Sequence, residues 1–445
     1  VKNKKFFIET YGCQMNFSDS EIVAAILEEE GLGSTKEIGD ADMIFLNTCS
    51  IRDNAELRVR KRLEYMQSLK KKKPWLIIGM LGCMAERLKT QLLEEEQVLD
   101  LIAGPDSYRD LPRLVAEVES GRKAVNTLLS VDETYADISP VRYASSGISA
   151  FISIMRGCEN YCAYCVVPYV RGQERSRDAL SITQEAELLF HKGFREVTLL
   201  GQNVNSYRWD RDGVKTTFAL LLEQVAHVNP LLRIRFATSH PKDLSDELLR
   251  TISRNTNICK AIHLPVQSGS THILNHMNRG YTRDQYLERI AAIRSMLSDC
   301  AISTDIITGF CDETEEDHKE TLSLMELVGF DYAFMFRYSE RPDTLAADRY
   351  EDNVPPEVKD RRLKEIIDLQ QKLSYQSNKK DVGKTFEVLI EGFSKRSDSF
   401  YSGRNSQNKV VVFPVTGNKP GEYVPVKINR FTSATLIGEA GQEES

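Results

Sequence analysis

The stretch Cys158-Glu159-Asn160-Tyr161-Cys162-Ala163-Tyr164-Cys165 decides how the rest of the chain is read. It follows an apolar run, Phe151 to Arg156, that reads as a strand, and its three thiols stand four and three residues apart. Thiolates so spaced can wrap three corners of a cubane iron–sulfur cluster and leave the fourth iron without a protein ligand. A cluster with an open iron can bind and cleave a substrate rather than only pass electrons. The competing readings are a zinc site short of one ligand and plain buried cysteines. The place of the motif, at the carboxyl end of the first strand of a β/α series, weighs against both.

That series continues with candidate strands at Glu196 to Leu200, Arg233 to Thr238, Ala261 to Val266, Ile302 to Ile307 and Asp331 to Phe336. Helical patterns such as Thr183 to Lys192, Arg283 to Leu297 and Glu315 to Val328 lie between them. Six βα units fall short of the eight of a closed TIM barrel, so the expectation is a partial (β/α)6 barrel, open on one side, with its site at the strand carboxyl ends.

Upstream, strand and helix also alternate. Phe6-Phe7-Ile8 leads to Gly12-Cys13, Met43 to Leu46 to Asn47-Thr48-Cys49, and Leu76 to Met80 to Gly82-Cys83; a further short strand is Leu101 to Ala103. The pattern predicts a doubly wound parallel sheet, whose strand carboxyl ends share one edge. Taken singly, each cysteine is a small buried residue. Their repeated placement after a strand brings three distant thiols to one place, again a set for a cluster with an open iron. Cys259 and Cys300 show no such pattern and read as core residues.

The expected division is 1–120 for the sheet, 121–147 as a linker, 148–378 for the partial barrel and 379–445 for a third unit. After a long helix from Pro356 to about Asn378, short β runs (Phe386 to Ile390, Val410 to Phe413, Tyr423 to Ile428) predict a small antiparallel β-barrel of the size used by OB-like nucleic-acid modules. Lys379 to Arg430 holds ten basic and five acidic residues, whereas the whole chain of 445 residues carries a formal charge of −7. A local basic patch is expected there, with Lys395, Arg396, Arg404 and Lys409 as phosphate contacts beside the aromatic rings of Phe393, Phe400 and Tyr401. The Lys70 to Lys73 run reads as an exposed helix end. Nine cysteines in so large a chain do not suggest a disulfide framework. No apolar run reaches membrane-spanning length and the basic N-terminus is too briefly apolar for a secretory signal, so a cytoplasmic protein without a membrane partner is expected.

The Cys158 motif and its placement resemble the radical S-adenosylmethionine (SAM) enzymes. That resemblance implies that the open iron chelates SAM and that an electron from the cluster yields a 5′-deoxyadenosyl radical. It places Tyr164, Gln202 with Asn203, and Gln267 among the SAM contacts. Two cysteine triads followed by a terminal β-barrel resemble the methylthiotransferases over essentially the whole chain. The words that carry this are Glu9-Thr10-Tyr11-Gly12-Cys13-Gln14-Met15-Asn16, Asn47-Thr48-Cys49-Ser50-Ile51-Arg52, Leu81-Gly82-Cys83-Met84-Ala85, Pro168 to Arg177 and His263 to Ser270.

The residues around Cys13 resemble those of the branch that methylthiolates isopentenyladenosine at position 37 of tRNA; the threonylcarbamoyladenosine and ribosomal-protein branches usually carry different residues there. The resemblance implies two [4Fe-4S] clusters, one on Cys13, Cys49 and Cys83 and one on Cys158, Cys162 and Cys165, both facing one cavity. It also implies two uses of SAM, a terminal RNA-binding TRAM domain, a tRNA anticodon stem-loop as partner, and an external reductant and sulfur or cluster-repair partner. The alternatives are a methylthiotransferase acting on threonylcarbamoyladenosine tRNA or on a ribosomal-protein aspartate, and a non-enzymatic iron–sulfur or zinc RNA-binding regulator. Two segments depart from the family pattern: Gly-Phe-Pro-Gly-Glu-Thr stands as Gly309-Phe310-Cys311-Asp312-Glu313-Thr314, and Ser-Pro-Arg-Pro-Gly-Thr-Pro as Ser339-Glu340-Arg341-Pro342-Asp343-Thr344-Leu345. Their acidic groups are expected near the cavity, where they would repel a substrate carboxylate.

Overall fold

The computed structural model describes residues 4–49, 53–142, 147–211 and 213–441. Ser50 to Arg52 of the second cysteine motif, and Ser145-Ser146 of the connecting stretch, lie outside them. The first unit runs β1 (Lys5–Thr10), α1 (Gln14–Glu29), β2 (Gly33–Ser34), β3 (Met43–Thr48), α2 (Asp53–Lys72), β4 (Ile77–Gly82), α3 (Cys83–Glu95), β5 (Leu101–Ala103), α4 (Leu111–Glu119) and β6 (Ala124–Asn126). Its strands form one parallel sheet in the order β2-β1-β3-β4-β5-β6. β3 and β4 are buried at every residue, because apolar clusters cover both faces of the sheet.

The strand order reverses between β1 and β3, and in such sheets a crevice opens at the carboxyl ends of the strands flanking the reversal. Cys13 and Cys49 follow those two strands and Cys83 follows the next. β6 lies in the stretch expected to be a linker, which corrects that reading. A three-residue edge strand is too short to show a period.

The second unit begins with β7 (Ser149–Ser153), β8 (Met155–Arg156), α5 (Val167–Arg171), β9 (Arg175–Ser176), α6 (Ala179–His191), β10 (Glu196–Leu200), β11 (Arg208–Arg211), β12 (Val214–Thr217), α7 (Phe218–Ala226), β13 (Arg233–Phe236), α8 (Asp246–Arg254) and β14 (Ala261–His263). It continues with α9 (Thr271–His276), α10 (Arg283–Met296), β15 (Ala301–Thr308), α11 (Glu315–Val328), β16 (Tyr332–Arg337), α12 (Leu345–Arg349) and α13 (Pro356–Lys379). Two parallel three-stranded sheets, β7-β10-β13 and β14-β15-β16, meet through a parallel bridge between Ile234 and Ile258. Together they make the six-stranded partial barrel, with one continuous apolar core under its helices.

Helix starts are written into the sequence. Asp178 caps α6, and Thr282 with Gln285 and Thr314 with Asp317 form capping boxes on α10 and α11. The antiparallel ribbon β11–β12 had no legible signal because most of its residues are exposed and polar.

The third unit is a closed barrel of β17 (Thr385–Ser394), β18 (Ser397–Arg404), β19 (Val410–Pro414), β20 (Tyr423–Phe431) and β21 (Leu436–Ala440). The loop after β18 docks on the second unit: Arg235 Nη2 donates to Asn405 O at 2.9 Å, and Lys260 N to Ser406 Oγ at 2.9 Å.

A buried ionic network joins the first unit to the second. Arg156 Nη2 donates to Asp19 Oδ1 at 2.9 Å and Arg171 Nη2 to Asp19 Oδ2 at 2.8 Å, while Arg175 Nη2 reaches both oxygens of Asp106 at 3.0 Å. All five side chains are nearly or fully buried. Removing one partner from such a network strands the other charges without water. Asp19→Ala is therefore expected to lower unfolding free energy by about 3–5 kcal/mol, measurable by urea titration; a loss below about 1 kcal/mol, the range of a surface pair, would contradict the buried-network account.

Candidate active site

Cys13 is the N-cap residue of α1, Cys49 leaves β3 and Cys83 opens α3. Two glycines let these turns approach. At Gly12, φ is +134° and a Cβ would stand 2.5 Å from Cys49 Cβ; at Gly82, φ is +88° and a Cβ would be 2.7 Å from Thr48 O. Polar side chains lace the strand ends. Asn16 Nδ2 donates to Asn47 Oδ1 at 3.0 Å, Asn47 Nδ2 to Asn16 O at 2.9 Å, and Thr48 Oγ1 to Leu81 O at 3.0 Å.

The thiols of Cys13 and Cys49 are in hydrogen-bond contact, which together with the nearby Arg171 guanidinium draws the Cys13 thiol down to about 6 against the opposing effect of burial. Burial pushes Cys83 up, opposed by Arg171. Arg171 Nε donates to Cys83 Sγ at 3.2 Å.

The second triad lies in the loop after β8. Gly157 holds φ +81° with its Cα against the opposite strand of the loop, where a Cβ would meet Gln173 O at 1.9 Å. Cys158 N donates to Gly172 O and Cys165 N to Cys162 O, folding the loop on itself. Burial pushes Cys158 up to about 11, and burial with the neighbouring Cys162 pushes Cys165 up to about 12. Thiols crowded so that their anions repel are suited to metal, which binds the thiolate and cancels its charge. Arg279 Nη1 donates to Cys162 Sγ at 3.2 Å and lies 3.3 Å from Tyr164 Oη. Among the described residues no three His, Cys, Asp or Glu side chains converge closely enough to enclose a single metal ion. A cubane cluster distributes its ligands over separate irons and asks for wider spacing than one tetrahedral zinc.

Beside this loop the strand carboxyl ends offer buried polar atoms without a protein partner among the described residues: Ser153 Oγ at the end of β7, Gln202 Oε1 and Asn203 Oδ1 after β10, Ser239 Oγ and His240 Nε2 after β13, and Gln267 Oε1 after β14. Leaving such atoms unpaired is costly unless a ligand satisfies them. Asn203 Nδ2 is tied to Asp243 at 2.7 Å. Gln267 holds φ +73°, an unfavourable value for a residue with a Cβ. Burial, with Arg279 and Lys242 nearby, drives His240 down to about 2, so its ring is neutral. The donors and acceptors fit a small, polar, zwitterionic ligand such as SAM.

The two triads meet across α5. Val166 and Val170 form one buried cluster with Cys83, and Arg171 ends the same helix, which starts two residues after Cys165. Arg341, after β16, is buried enough to be pushed down, with Cys49 nearby opposing that shift. Sequence reading missed Arg279, Ser239 and His240, since they come from separate loops with no shared spacing. Arg171 stood inside a quoted motif, but nothing in the chain's order tied it to Cys83.

The departures at 312 and 343 follow backbone geometry. Asp312 is exposed and bonds Asn353, and Asp343 is also exposed; their φ values of +62° and +65° show that each fills a left-handed position where the family pattern has glycine. Cys311 is a core residue beside Phe310 and Tyr338. The terminal barrel also corrects two expectations. Lys409 Nζ bonds Ser377 Oγ and Asp381 Oδ2 at 2.7 Å and pairs with Asp331 at 3.3 Å, clamping the barrel to α13 rather than awaiting phosphate. Tyr401 is buried, its hydroxyl on Asn418 O. Arg404 is half-buried and holds Asn408 O and Glu391. Lys395 and Arg396 remain exposed at the β17–β18 turn, flanked by exposed Phe393 and Phe400.

A cysteine-lined switch-point crevice joined to a partial barrel with a three-cysteine loop defines a radical SAM enzyme of the methylthiotransferase architecture. Family models match as Uncharacterized protein family UPF0004 over residues 5–104, Radical SAM superfamily over 152–325 and TRAM domain over 379–440. A Parabacteroides distasonis tRNA-2-methylthio-N(6)-dimethylallyladenosine synthase is 59% identical over 99% of this chain and 96% of its own length. An Amoebophilus asiaticus protein of the same name is 58% identical over 98% and 92%. The chain belongs to the tRNA-2-methylthio-N(6)-dimethylallyladenosine synthase family. In fold it is similar to the radical SAM methyltransferase TsrM from Kitasatospora setae, with a TM-score of 0.58 at 13% identity over 78% of this chain and 74% of that one. The family implies a [4Fe-4S] cluster and SAM. Among the described residues no helix is long and apolar enough to cross a membrane.

Glu86, one turn after Cys83, is buried with Oε2 unpaired, and burial raises its carboxyl to about 7 against the pull of Lys89. Its folded value lies above the unfolded one, so the stability it allows is fully present below pH 4.5 and lost as pH rises through 7. Glu86→Gln is expected to leave stability unchanged at pH 4 and raise it by about 3 kcal/mol at pH 8; equal effects at both pH values in chemical denaturation would refute this.

Proposed function

We propose that this chain attaches a methylthio group to carbon 2 of N6-isopentenyladenosine (dimethylallyladenosine) at position 37 of tRNA, using one SAM as methyl donor and a second as radical source. The observation that carries the reading is the placement of the two cysteine triads on either side of α5. Residues 1–120 hold the auxiliary cluster on Cys13, Cys49 and Cys83. Residues 148–378 hold the second cluster on Cys158, Cys162 and Cys165, and residues 379–445 bind RNA. The 121–147 stretch connects them, apart from its edge strand.

When bound, the clusters and SAM supply the radical chemistry that activates an aromatic C–H, which no ordinary side-chain base can deprotonate. The protein's part is to bind and to orient. Gln202, Asn203 and Gln267 offer acceptors to the polar groups of SAM, with Tyr164 beside them, and neutral His240 adds no charge. Arg171 and Arg279 each donate to a ligand sulfur, and hydrogen bonds to cluster sulfurs set reduction potential. Lys395, Arg396 and, partly, Arg404 lie where they can steer phosphates of the anticodon stem-loop toward the site. An external reductant and a source of replacement sulfur complete the cycle. The names of the relatives favour the isopentenyl substrate over threonylcarbamoyladenosine or a ribosomal-protein aspartate, and an enzyme over a non-catalytic RNA-binding regulator.

Anaerobically reconstituted protein is expected to hold about eight irons, and Cys13→Ala or Cys158→Ala about four. Mass spectrometry of digested tRNA should find the methylthio product only on isopentenyladenosine. Eight irons in Cys13→Ala, or turnover on threonylcarbamoyl tRNA instead, would overturn the reading.

A further inference from the structure

β16 is the edge strand of β14-β15-β16, and its two faces differ. Ala333 is buried, and Met335 packs into the core with Phe330 and with Leu369 of α13. Tyr332, Phe334 and Phe336 point the other way and remain 54%, 42% and 36% exposed. They stand about 7 Å apart along the strand. The register sets them opposite Ser303, Asp305 and Ile307 of β15. Tyr332 and Phe334 meet edge-to-face at 4.9 Å, and His263 of β14 meets Phe334 edge-on at 5.9 Å. His263 is itself held by Ser303 Oγ at 3.0 Å and Asp305 at 3.3 Å, which fixes the ring.

Single exposed aromatics are ordinary, but three in succession on one face of an edge strand, each at least 36% exposed, form an accessible aromatic surface. The stripe also leads somewhere. At its start Asp331 receives Lys409 of the terminal barrel at 3.3 Å. At its end Tyr338 N bonds Thr308 O, and the next loop carries Arg341 to the side of Cys49. Over about 20 Å of strand it thus runs from the attachment of the terminal barrel to the mouth of the active site. Its neighbours His263, Ser303 and Asp305 are hydrogen-bonding groups. Arg337 at the strand end is exposed and pairs with the exposed Asp360, a contact that a phosphate can replace.

We propose that Tyr332, Phe334 and Phe336 form a stacking track for the unpaired bases that flank the target base of the RNA substrate. Aromatic side chains on a sheet face receive splayed single-stranded bases in this way, without demanding a particular sequence. The inference rests on the tRNA reading above and names where the loop lies once the terminal barrel has caught it.

The test uses the full chain and an anticodon stem-loop RNA carrying 2-aminopurine next to the target adenosine. Wild type is expected to bind it with a change in 2-aminopurine fluorescence as the base stacks. Phe334→Leu should lose that change and bind roughly ten-fold more weakly, with an unaltered thermal midpoint, whereas Phe334→Trp should retain both signals. A Tyr332→Leu, Phe334→Leu, Phe336→Leu triple variant that binds and stacks like wild type would overturn the proposal and leave the stripe to a protein partner. Failure of wild type to bind the stem-loop at all would overturn the tRNA reading itself, and with it this one.

Discussion

Two aspartates sealed from water against three arginines hold the catalytic half of this molecule together. Asp19 lies on α1 and Asp106 follows β5, whereas Arg156, Arg171 and Arg175 all flank the cysteine loop of the partial barrel. Burying five charges brings little net stability, since desolvation offsets most of the attraction. What it enforces is geometry, because any other docking of the two units would strand several ions in a low-dielectric interior. The count also leaves one positive charge in excess, and Arg171 carries it against Cys83. That hydrogen bond ties the first cysteine set to the interface.

The same principle recurs at the second set, where buried Arg279 faces Cys162. Each guanidinium reaches its sulfur from outside the ligand loop it serves. Arg171 belongs to the barrel yet touches a cysteine of the N-terminal sheet, and Arg279 follows α9 yet touches the loop after β8. The electronic environment of each triad is thus set by a segment distant in sequence. Proper docking of the units is a condition for the first site.

Much of this was legible in the chain. Central strands such as β3 and β4 are apolar throughout and announce a sheet covered on both faces, and glycine or threonine before Cys13, Cys49 and Cys83 marks the strand ends. The cysteine loop, capped helices and the long α13 carry local signals that the fold obeys. Three kinds of feature were not legible. Short or exposed strands such as β6, β12 and β18 bury too few residues to show a period. Arg279, Ser239 and His240 are brought together only by barrel closure. Charge sign alone misassigned Lys409, whose partners Asp331 and Asp381 lie on segments that the sequence does not place beside it. Backbone φ accounts for Asp312 and Asp343 in positions where the family pattern has glycine, a constraint that side-chain chemistry does not announce.

The central claim is that both cysteine sets serve one cavity through α5. Electron paramagnetic resonance of the reduced, fully reconstituted protein tests it most directly, compared with the two variants that each keep a single cysteine set. Two clusters sharing one cavity couple magnetically, so the wild-type spectrum should be broadened or split relative to the sum of the two variant spectra. A wild-type spectrum equal to that sum would place the clusters in separate sites and contradict the account.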